Sequence, residues 1–394
     1  MRSHPKGVHQ NPVYYELIAS MGWRDAAVDV SEWAQGYAAS RYGLALSADA
    51  SSAWRLMTDA SVGGVYTSTL DISDVGTINR GAGLNLLQPA SILPLGPASP
   101  PAHNATTELA VWGLLLAAAT AAAAPPTTLR YDLVDAGRQC LDNLLWDVSR
   151  LVEAAFARGD AAGVETAVTA WLRVAICMDG VLSTDSNFML GPWIADAIAT
   201  AADPGEAQRN VLEYNARNQI TLWGPTQGTG LEDYARKQWG GLVRSFHVRG
   251  RWSILLDAVL EAARSGTFAV DAGAVGAATQ VFELAWQTNF TERFPVEAQG
   301  DAVAVSALAW AAFADPRLAE AGYSALPDSD VTKAGSRLLP QPGWTKGSGS
   351  LAFLCSADVA CGGFTSEGEL LARFDRASDV VAAAGVTLYA RKEA

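Results

Sequence analysis

The sequence predicts an all-α protein, an antiparallel array of helices followed by a small Cys-containing β-type module at the C-terminus. Apolar residues recur at helical spacing through most of the first three quarters of the chain, in about a dozen segments, without a convincing run of alternating strands. Hydrophobic residues make up 49% and charged residues 18% of the 394 positions. This composition supplies a large apolar core, and two or three domains are expected for the length.

The predicted helices follow one another with short breaks. They cover residues 12–21, 30–42, 48–60, 106–124, 129–158, 161–182, 193–201, 206–220, 231–246, 252–265, 275–287 and 301–313. The helix at 129–158 has the broadest apolar stripe. Six of its charged residues fall largely off that stripe and are predicted to form a solvated face: Asp132, Asp135, Arg138, Asp142, Asp147 and Arg150.

Two stretches interrupt the helical pattern. Residues 62–101 are rich in Gly, Ser and Pro and form a long excursion, and residues 314–348 read as a linker. Residues 349–394 then predict a small separate module that needs help to hold a core. Cys355 and Cys361 are predicted to supply it as a local disulfide, with two free thiols as the alternative. Cys140 and Cys177 lie on predicted helices and are expected in the core.

Charge and motif content exclude several classes of partner. The net charge of -13 argues against nucleic acid and anionic membranes. The longest uncharged apolar run, 109–124, is shorter than the ~20 residues of a membrane span. The four histidines, His4, His9, His103 and His247, are not spaced with the cysteines as a zinc site requires, and no cofactor is predicted. No signal peptide is visible, although sequons at Asn104 and Asn289 are possible glycosylation sites.

The least generic stretch is residues 214–241, where helical periodicity breaks at Leu222-Trp223-Gly224-Pro225. Trp223 is predicted in a loop and Tyr234 on the first turn of the next helix. Aromatic rings at such a junction often line a small-ligand cleft, and a ring with one polar handle suits the apolar face of a sugar. The alternative is a Trp that fills a helix–helix corner.

This stretch resembles the C-terminal helical domain of the α-N-acetylglucosaminidase family. The matching run includes Tyr214-Asn215, Gln219 to Pro225, Asp233-Tyr234-Ala235, Lys237-Gln238 and Gly241-Leu242-Val243. Further matches are Tyr131 to Asp135, Asp185 to Trp193, Gln10 to Leu17 and Met21 to Arg24. The resemblance extends from about Pro5 to Trp310. It implies a barrel-end remnant at 1–25 and a helical domain at 26–313.

The resemblance also implies a reaction that this chain lacks the groups to perform. Family members are retaining glycosidases whose barrel supplies two catalytic Glu, and retention requires two carboxyl groups about 5 Å apart. The first Glu has no counterpart here, and the second position reads Pro5-Lys6-Gly7. Glu16 is a poor substitute because it lies on the following helix. The family's pocket His after a Val-Tyr run is missing after Val65-Tyr66, so no catalytic residue is implied.

What the resemblance carries over is an apolar and aromatic pocket wall formed by Trp223, Leu231 and Tyr234. The first hypothesis is the C-terminal domain of an α-N-acetylglucosaminidase-like glycoside hydrolase that does not hydrolyse alone. The alternative is a non-catalytic glycan-binding or oligomerisation module. Expected partners are an N-acetylglucosamine-containing glycan and either a second copy or a catalytic-barrel chain. A lysosomal or secreted location follows if the chain behaves like the family.

Overall fold

The computed structural model describes residues 12–43, 48–58, 105–201, 205–224 and 237–314, and four strand segments nearer the C-terminus. The chain forms two compact units, Met1–Ala298 and Gln299–Ala394. The helices are α1 Pro12–Met21, α2 Val30–Tyr42, α3 Ala48–Thr58, α4 Ala105–Ala121, α5 Thr127–Ala157, α6 Ala161–Leu182, α7 Leu190–Ala199, α8 Glu206–Gln219, α9 Ser253–Arg264, α10 Ala272–Gln287 and α11 Ala302–Ala314. Between residues 12 and 314, the described part of the chain is mainly helical and contains no strand, which confirms the all-α class.

The core of the first unit is built on the α5–α6 hairpin. Gly159 adopts a left-handed φ of 70° at the turn, and Asp160 caps α6 by accepting a 2.8 Å hydrogen bond from the backbone N–H of Gly163. The short connection makes the two helices antiparallel neighbours. Both predicted core cysteines are buried and free, which confirms their assignment. The largest fully buried aromatic side chains include Trp54, Trp112, Trp171 and Trp252.

The prediction of a solvated charged face on α5 is wrong for the four side chains that the structure describes. Asp132, Asp135, Arg138 and Asp142 are respectively 2%, 2%, 1% and 0% exposed. The reason is that α5 contacts α2, α4 and α6, so little of its circumference faces solvent. The side chains of Asp147 and Arg150 lie outside the described residues.

Two buried networks explain why charges are tolerated on this helix. Asp132 accepts hydrogen bonds from Arg41 Nε at 2.6 Å, Arg41 Nη2 at 3.0 Å and the Tyr42 hydroxyl at 2.7 Å. Trp54 Nε1 in turn donates to the Tyr42 hydroxyl at 2.9 Å. A buried carboxylate needs such partners because desolvation is costly. Asp132 therefore ties α2 and α3 to α5.

The second network joins α5 to the segment that follows Trp223 in the chain. Arg138 donates to Asp135 Oδ1 from Nε at 3.0 Å and from Nη2 at 2.7 Å. Its Nη1 donates to Gln238 Oε1 at 2.7 Å. Because Gln238 is 100 residues away in sequence, helical periodicity could not reveal this partner.

In its described part, the predicted helix at 231–246 is wrong for residues 237–241, whereas residues 242–246 are helical. Residues 237–241 are not helical, and Met189 and Gly240 form an isolated parallel bridge. A π-helix, Val243–Trp252, starts after Gly241, which has a φ of 86°, and continues directly into α9. Asp179 holds this start by accepting 2.8 Å and 2.9 Å hydrogen bonds from the backbone N–H groups of Gly241 and Arg244. Residues 225–236 lie outside the described part.

Gly191 lets α7 approach the backbone of Pro295 very closely. A Cβ at this position would be 1.9 Å from the carbonyl oxygen of Pro295, which is backbone and cannot swing away. Gly191 belongs to the motif Asp185 to Trp193, so a close approach accounts for the glycine in that motif.

Among the described residues, α6 is the one helix that is long and apolar enough to cross a membrane. Of its most apolar stretch, 56% is buried inside the fold. Burial of this kind is expected of a helix at the centre of a core.

The second unit contains α11 and four strands: β1 Tyr323–Val331, β2 Cys361–Thr365, β3 Leu370–Ala372 and β4 Val380–Arg391. Their order in the sheet is β1-β4-β2-β3, and each pair is antiparallel. Cys361 opens β2, whereas Cys355 and most of the linker at 314–348 lie outside the described residues. The Cys-stapled module therefore stays a prediction.

Candidate functional site

Trp223 lies in the turn after α8, as predicted, and its backbone is held in an unusual conformation. Its φ is 49°, in the left-handed region that non-glycine residues seldom occupy. Its backbone N–H donates a 2.7 Å hydrogen bond to the carbonyl oxygen of Asn218. The side chain is 37% exposed. Residues held in this region by their surroundings are concentrated at functional sites.

A network of buried polar side chains stabilises the turn through hydrogen bonds. Asn218 Nδ2 donates to the carbonyl oxygen of Gly224 at 2.8 Å and to Gln287 Oε1 at 3.3 Å. Gln287 Nε2 donates to Thr221 Oγ1 at 3.1 Å, and Thr221 Oγ1 donates to the Arg217 carbonyl at 2.7 Å. Thr221 and Gln287 are both fully buried. The network thus links the Trp223 turn to the end of α10.

Arg217 anchors the same end of α8 without any exposure to solvent. Its guanidinium pairs with Glu213 at 2.6 Å and donates to the backbone carbonyls of Trp286 at 3.0 Å and Glu292 at 3.2 Å. It also lies over the rings of Trp286 and Phe294, at 4.7 Å and 5.1 Å from their centroids. Because the charge is fully paired and buried, Arg217 supports the turn and is not available to a ligand.

A second aromatic group lies at residues 237–239, beside α7. Lys237 Nζ is 4.2 Å from the centroid of the Trp239 ring, and Trp239 packs against Trp193 with centroids 5.8 Å apart. Trp193 Nε1 donates to the carbonyl oxygen of Ala216 on α8 at 3.0 Å. Burial lowers the pKa of Lys237 to about 8. Lys237 is the only lysine between residues 7 and 332, a sequence signal that could have drawn attention to it.

The predicted site residues are only partly placed by the structure. Trp223 is placed as described above, whereas Leu231 and Tyr234 lie outside the described residues. Lys6 and Asn104 also lie outside them. Asn289 is exposed after α10, and its Oδ1 accepts a 2.7 Å hydrogen bond from the hydroxyl of Thr291. Sequence reasoning missed Asn218 and Gln287, because their roles depend on a contact between α8 and α10.

The described residues contain no group of three or more His, Cys, Asp and Glu side chains placed to hold a metal ion. His247 is buried and packs against Trp252, with ring centroids 5.1 Å apart. Burial and the neighbouring charge of Arg251 lower the pKa of His247 well below its usual value. The imidazole is therefore neutral at physiological pH and is part of the core.

Comparison with known proteins identifies the family. The model of the α-N-acetylglucosaminidase (NAGLU) C-terminal domain matches residues 33–309. Human α-N-acetylglucosaminidase is 33% identical over 265 residues, which cover 66% of this chain and 33% of the human protein.

Solved structures of a family 89 glycoside hydrolase from Clostridium perfringens share the fold. The complex with 2-acetamido-1,2-dideoxynojirimycin has a TM-score of 0.63 and 21% identity, over 77% of this chain and 33% of the enzyme. A variant bound to its substrate, GlcNAc-α-1,4-galactose, has a TM-score of 0.62 and 20% identity, with coverage of 77% of this chain and 33% of the enzyme. This chain spans about a third of the length of these relatives. It belongs to the α-N-acetylglucosaminidase C-terminal domain family.

Proposed function

We propose that this chain contributes an aromatic wall, centred on Trp223, to the sugar pocket of an α-N-acetylglucosaminidase-type glycoside hydrolase. The observation that carries the proposal is the half-exposed Trp223 ring on a turn with φ 49°. Asn218 and Gln287 hold this turn, so the ring is presented without being free to collapse into the core. A large ring with one N–H group suits an apolar sugar face with a hydroxyl at its edge.

The relatives support the choice of sugar. The Clostridium perfringens enzyme was solved with its substrate GlcNAc-α-1,4-galactose. We propose a glycan with terminal N-acetylglucosamine for this chain as well. Leu231 and Tyr234 complete the proposed wall on the strength of the family motif alone, because they lie outside the described residues.

We further propose that this chain does not hydrolyse glycans by itself. Retaining hydrolysis needs a nucleophilic carboxylate beside an acid/base carboxyl group. Lys6 stands where the family motif has Glu. A protonated amine cannot attack the anomeric carbon, and its charge opposes an oxocarbenium-like transition state. The purified chain should therefore give no turnover of an aryl α-N-acetylglucosaminide. Turnover that disappears in Glu16→Gln would overturn this proposal.

Sugar binding can be tested separately from hydrolysis. Titration of the chain with N-acetylglucosamine should change the intrinsic Trp fluorescence, and Trp223→Ala should remove that change. Trp23→Ala is the matched control, since Trp23 is 93% exposed and belongs to a different part of the fold. If Trp223→Ala leaves the titration intact, the ring has only a structural role at the helix corner.

A protein partner is the second part of the proposal. Tyr15, Trp23 and Val30 are exposed apolar residues close together in sequence, at 36%, 93% and 44% exposure. Exposed apolar side chains gain free energy when a partner removes them from water. We propose that they meet a catalytic-barrel chain. If sedimentation velocity shows concentration-dependent association that Trp23→Glu abolishes, the partner is instead a second copy.

The C-terminal module is proposed to be stapled by Cys355 and Cys361. Peptide mapping without reductant should yield one disulfide-linked peptide that contains both residues. Recovery of two alkylated thiols from protein prepared under oxidising conditions would support the alternative of free cysteines.

A further inference from the structure

A cleft in the first unit lies apart from the elements that carry Trp223. Helices α1 and α2 and the connection between them border a space of about 600 Å³. Its polar and aromatic lining comprises Glu16, Arg24, Asp29, Glu32, Trp33 and Tyr37. Ligand pockets in proteins range from about 300 to 1,000 Å³, so the cleft is large enough for a small organic molecule.

One wall of the cleft is a preformed aromatic surface. Trp33 and Tyr37 are one helical turn apart on α2, and their rings stack with centroids 5.6 Å apart and planes 17° apart. Tyr37 also meets the edge of Trp54 at 5.1 Å. Trp54 is fully buried and is hydrogen-bonded to Tyr42, so the stack rests on a fixed support. A flat or apolar ligand body could pack on this surface with little loss of side-chain entropy.

The charges of the lining select the sign of the ligand. The lining includes three carboxylates, Glu16, Asp29 and Glu32, and one guanidinium, Arg24, which leaves a formal charge of about −2. Asp29 Oδ1 also accepts a 2.8 Å hydrogen bond from the Glu32 N–H, which fixes its carboxylate at the start of α2. Burial raises the pKa of Tyr37 to about 12. Arg41, whose guanidinium carbon lies 5.8 Å from the centroid of the Tyr37 ring, opposes this shift, and Glu16 is among the carboxylates that add to it.

We propose that this cleft binds a small organic cation, a protonated amine carried on a flat or apolar body. The body packs on the Trp33–Tyr37 surface, and the ammonium group lies near Glu16 and Glu32. Both attractions act in the same direction, because an aromatic face and a carboxylate each favour a cation. This site is independent of the proposed sugar wall, and neither depends on the other.

The test uses the full chain labelled with 5-fluorotryptophan and observed by ¹⁹F NMR. The Trp33 signal is assigned by its loss in Trp33→Phe, and the Trp223 signal, the reference outside the cleft, by its loss in Trp223→Phe. The probe is phenethylamine, and its neutral match is 2-phenylethanol, which has the same ring and chain length. Phenethylamine should shift the Trp33 signal saturably and leave the Trp223 signal in place. The neutral alcohol should bind at least about fivefold more weakly.

Variants of the carboxylates keep the test decisive if Trp33→Phe alters folding. Glu16→Gln combined with Glu32→Gln should weaken phenethylamine binding by about threefold or more, and Glu261→Gln on the exposed face of α9 should not change it. Equal binding of amine and alcohol would overturn the cation proposal. An unmoved Trp33 signal would overturn the site, whatever the outcome of the N-acetylglucosamine titration at Trp223.

Discussion

Asp132→Ala should destabilise the first unit far more than the loss of a surface charge would. The substitution removes the acceptor of three hydrogen bonds, two from Arg41 and one from Tyr42. Breaking a buried ion pair by removing one partner costs about 3–5 kcal/mol. Arg41 is 16% exposed, so water can partly solvate the orphaned guanidinium and the cost should be near 3 kcal/mol. The uncompensated Tyr42 hydroxyl adds roughly 1 kcal/mol.

Urea unfolding followed by far-ultraviolet circular dichroism measures this cost. Asp132→Ala should lower the free energy of unfolding by about 3–4 kcal/mol, and Tyr42→Phe should lower it by about 1–2 kcal/mol. The control is Glu261→Ala on α9, where an exposed side chain should change stability by less than about 0.5 kcal/mol. If Asp132→Ala behaves like Glu261→Ala, the charged residues of α5 face solvent and the buried network is incorrect.

Three further predictions follow from buried groups. Gly191→Ala should lower the free energy of unfolding by about 2–3 kcal/mol, because the added Cβ meets the Pro295 backbone. A Cβ at Gly276 has no atom within 4 Å, so Gly276→Ala should raise the free energy of unfolding in urea by about 0.5–1 kcal/mol through a more stable α10. Arg251→Met and Glu283→Leu should each lower the free energy of unfolding by about 3–5 kcal/mol, because both side chains are 0% exposed and each variant leaves the other charge buried. A double variant whose loss of stability equals the sum of the two single losses would refute their pairing. Burial lowers the pKa of Lys237 in the folded chain to about 8. The unfolded chain therefore binds more protons between pH 8 and the ordinary lysine pKa of 10.5, and stability rises with pH in that window. Lys237→Met should therefore be more stable than the parent near pH 7, by a margin that narrows towards pH 10.5, and a constant margin would contradict the shift.

The helical array follows from the sequence because its elements depend on local periodicity. The bounds of α1, α2 and α6 match the predicted segments at both ends, and those of α5 and α8 differ by two residues or fewer. Periodicity fails at α5 because it assigns every charge off the apolar stripe to solvent. The partners of Asp132 and Arg138 come from 91 and 100 residues away, and only the packed fold brings them together.

The candidate site was predictable in position but not in geometry. The break in the helical pattern placed Trp223 in a loop, and the structure agrees. The left-handed backbone at Trp223 has no signal of its own in the sequence, since glycine is the residue that normally indicates it. The support from Gln287 depends on α10 lying beside α8. The π-helix before α9 was missed because the capping carboxylate, Asp179, lies on α6, 62 residues before Gly241.

The most direct test of the sugar-wall proposal is a ¹⁹F NMR titration of the 5-fluorotryptophan chain with N-acetylglucosamine. The Trp223 signal is assigned by its loss in Trp223→Phe. The proposal predicts a saturable shift of that signal and no shift of the Trp23 signal. N-acetylgalactosamine at the same concentration should shift the Trp223 signal less. A Trp223 signal that stays unchanged up to saturating sugar would contradict the proposal and leave Trp223 as a residue that only closes the α8 turn.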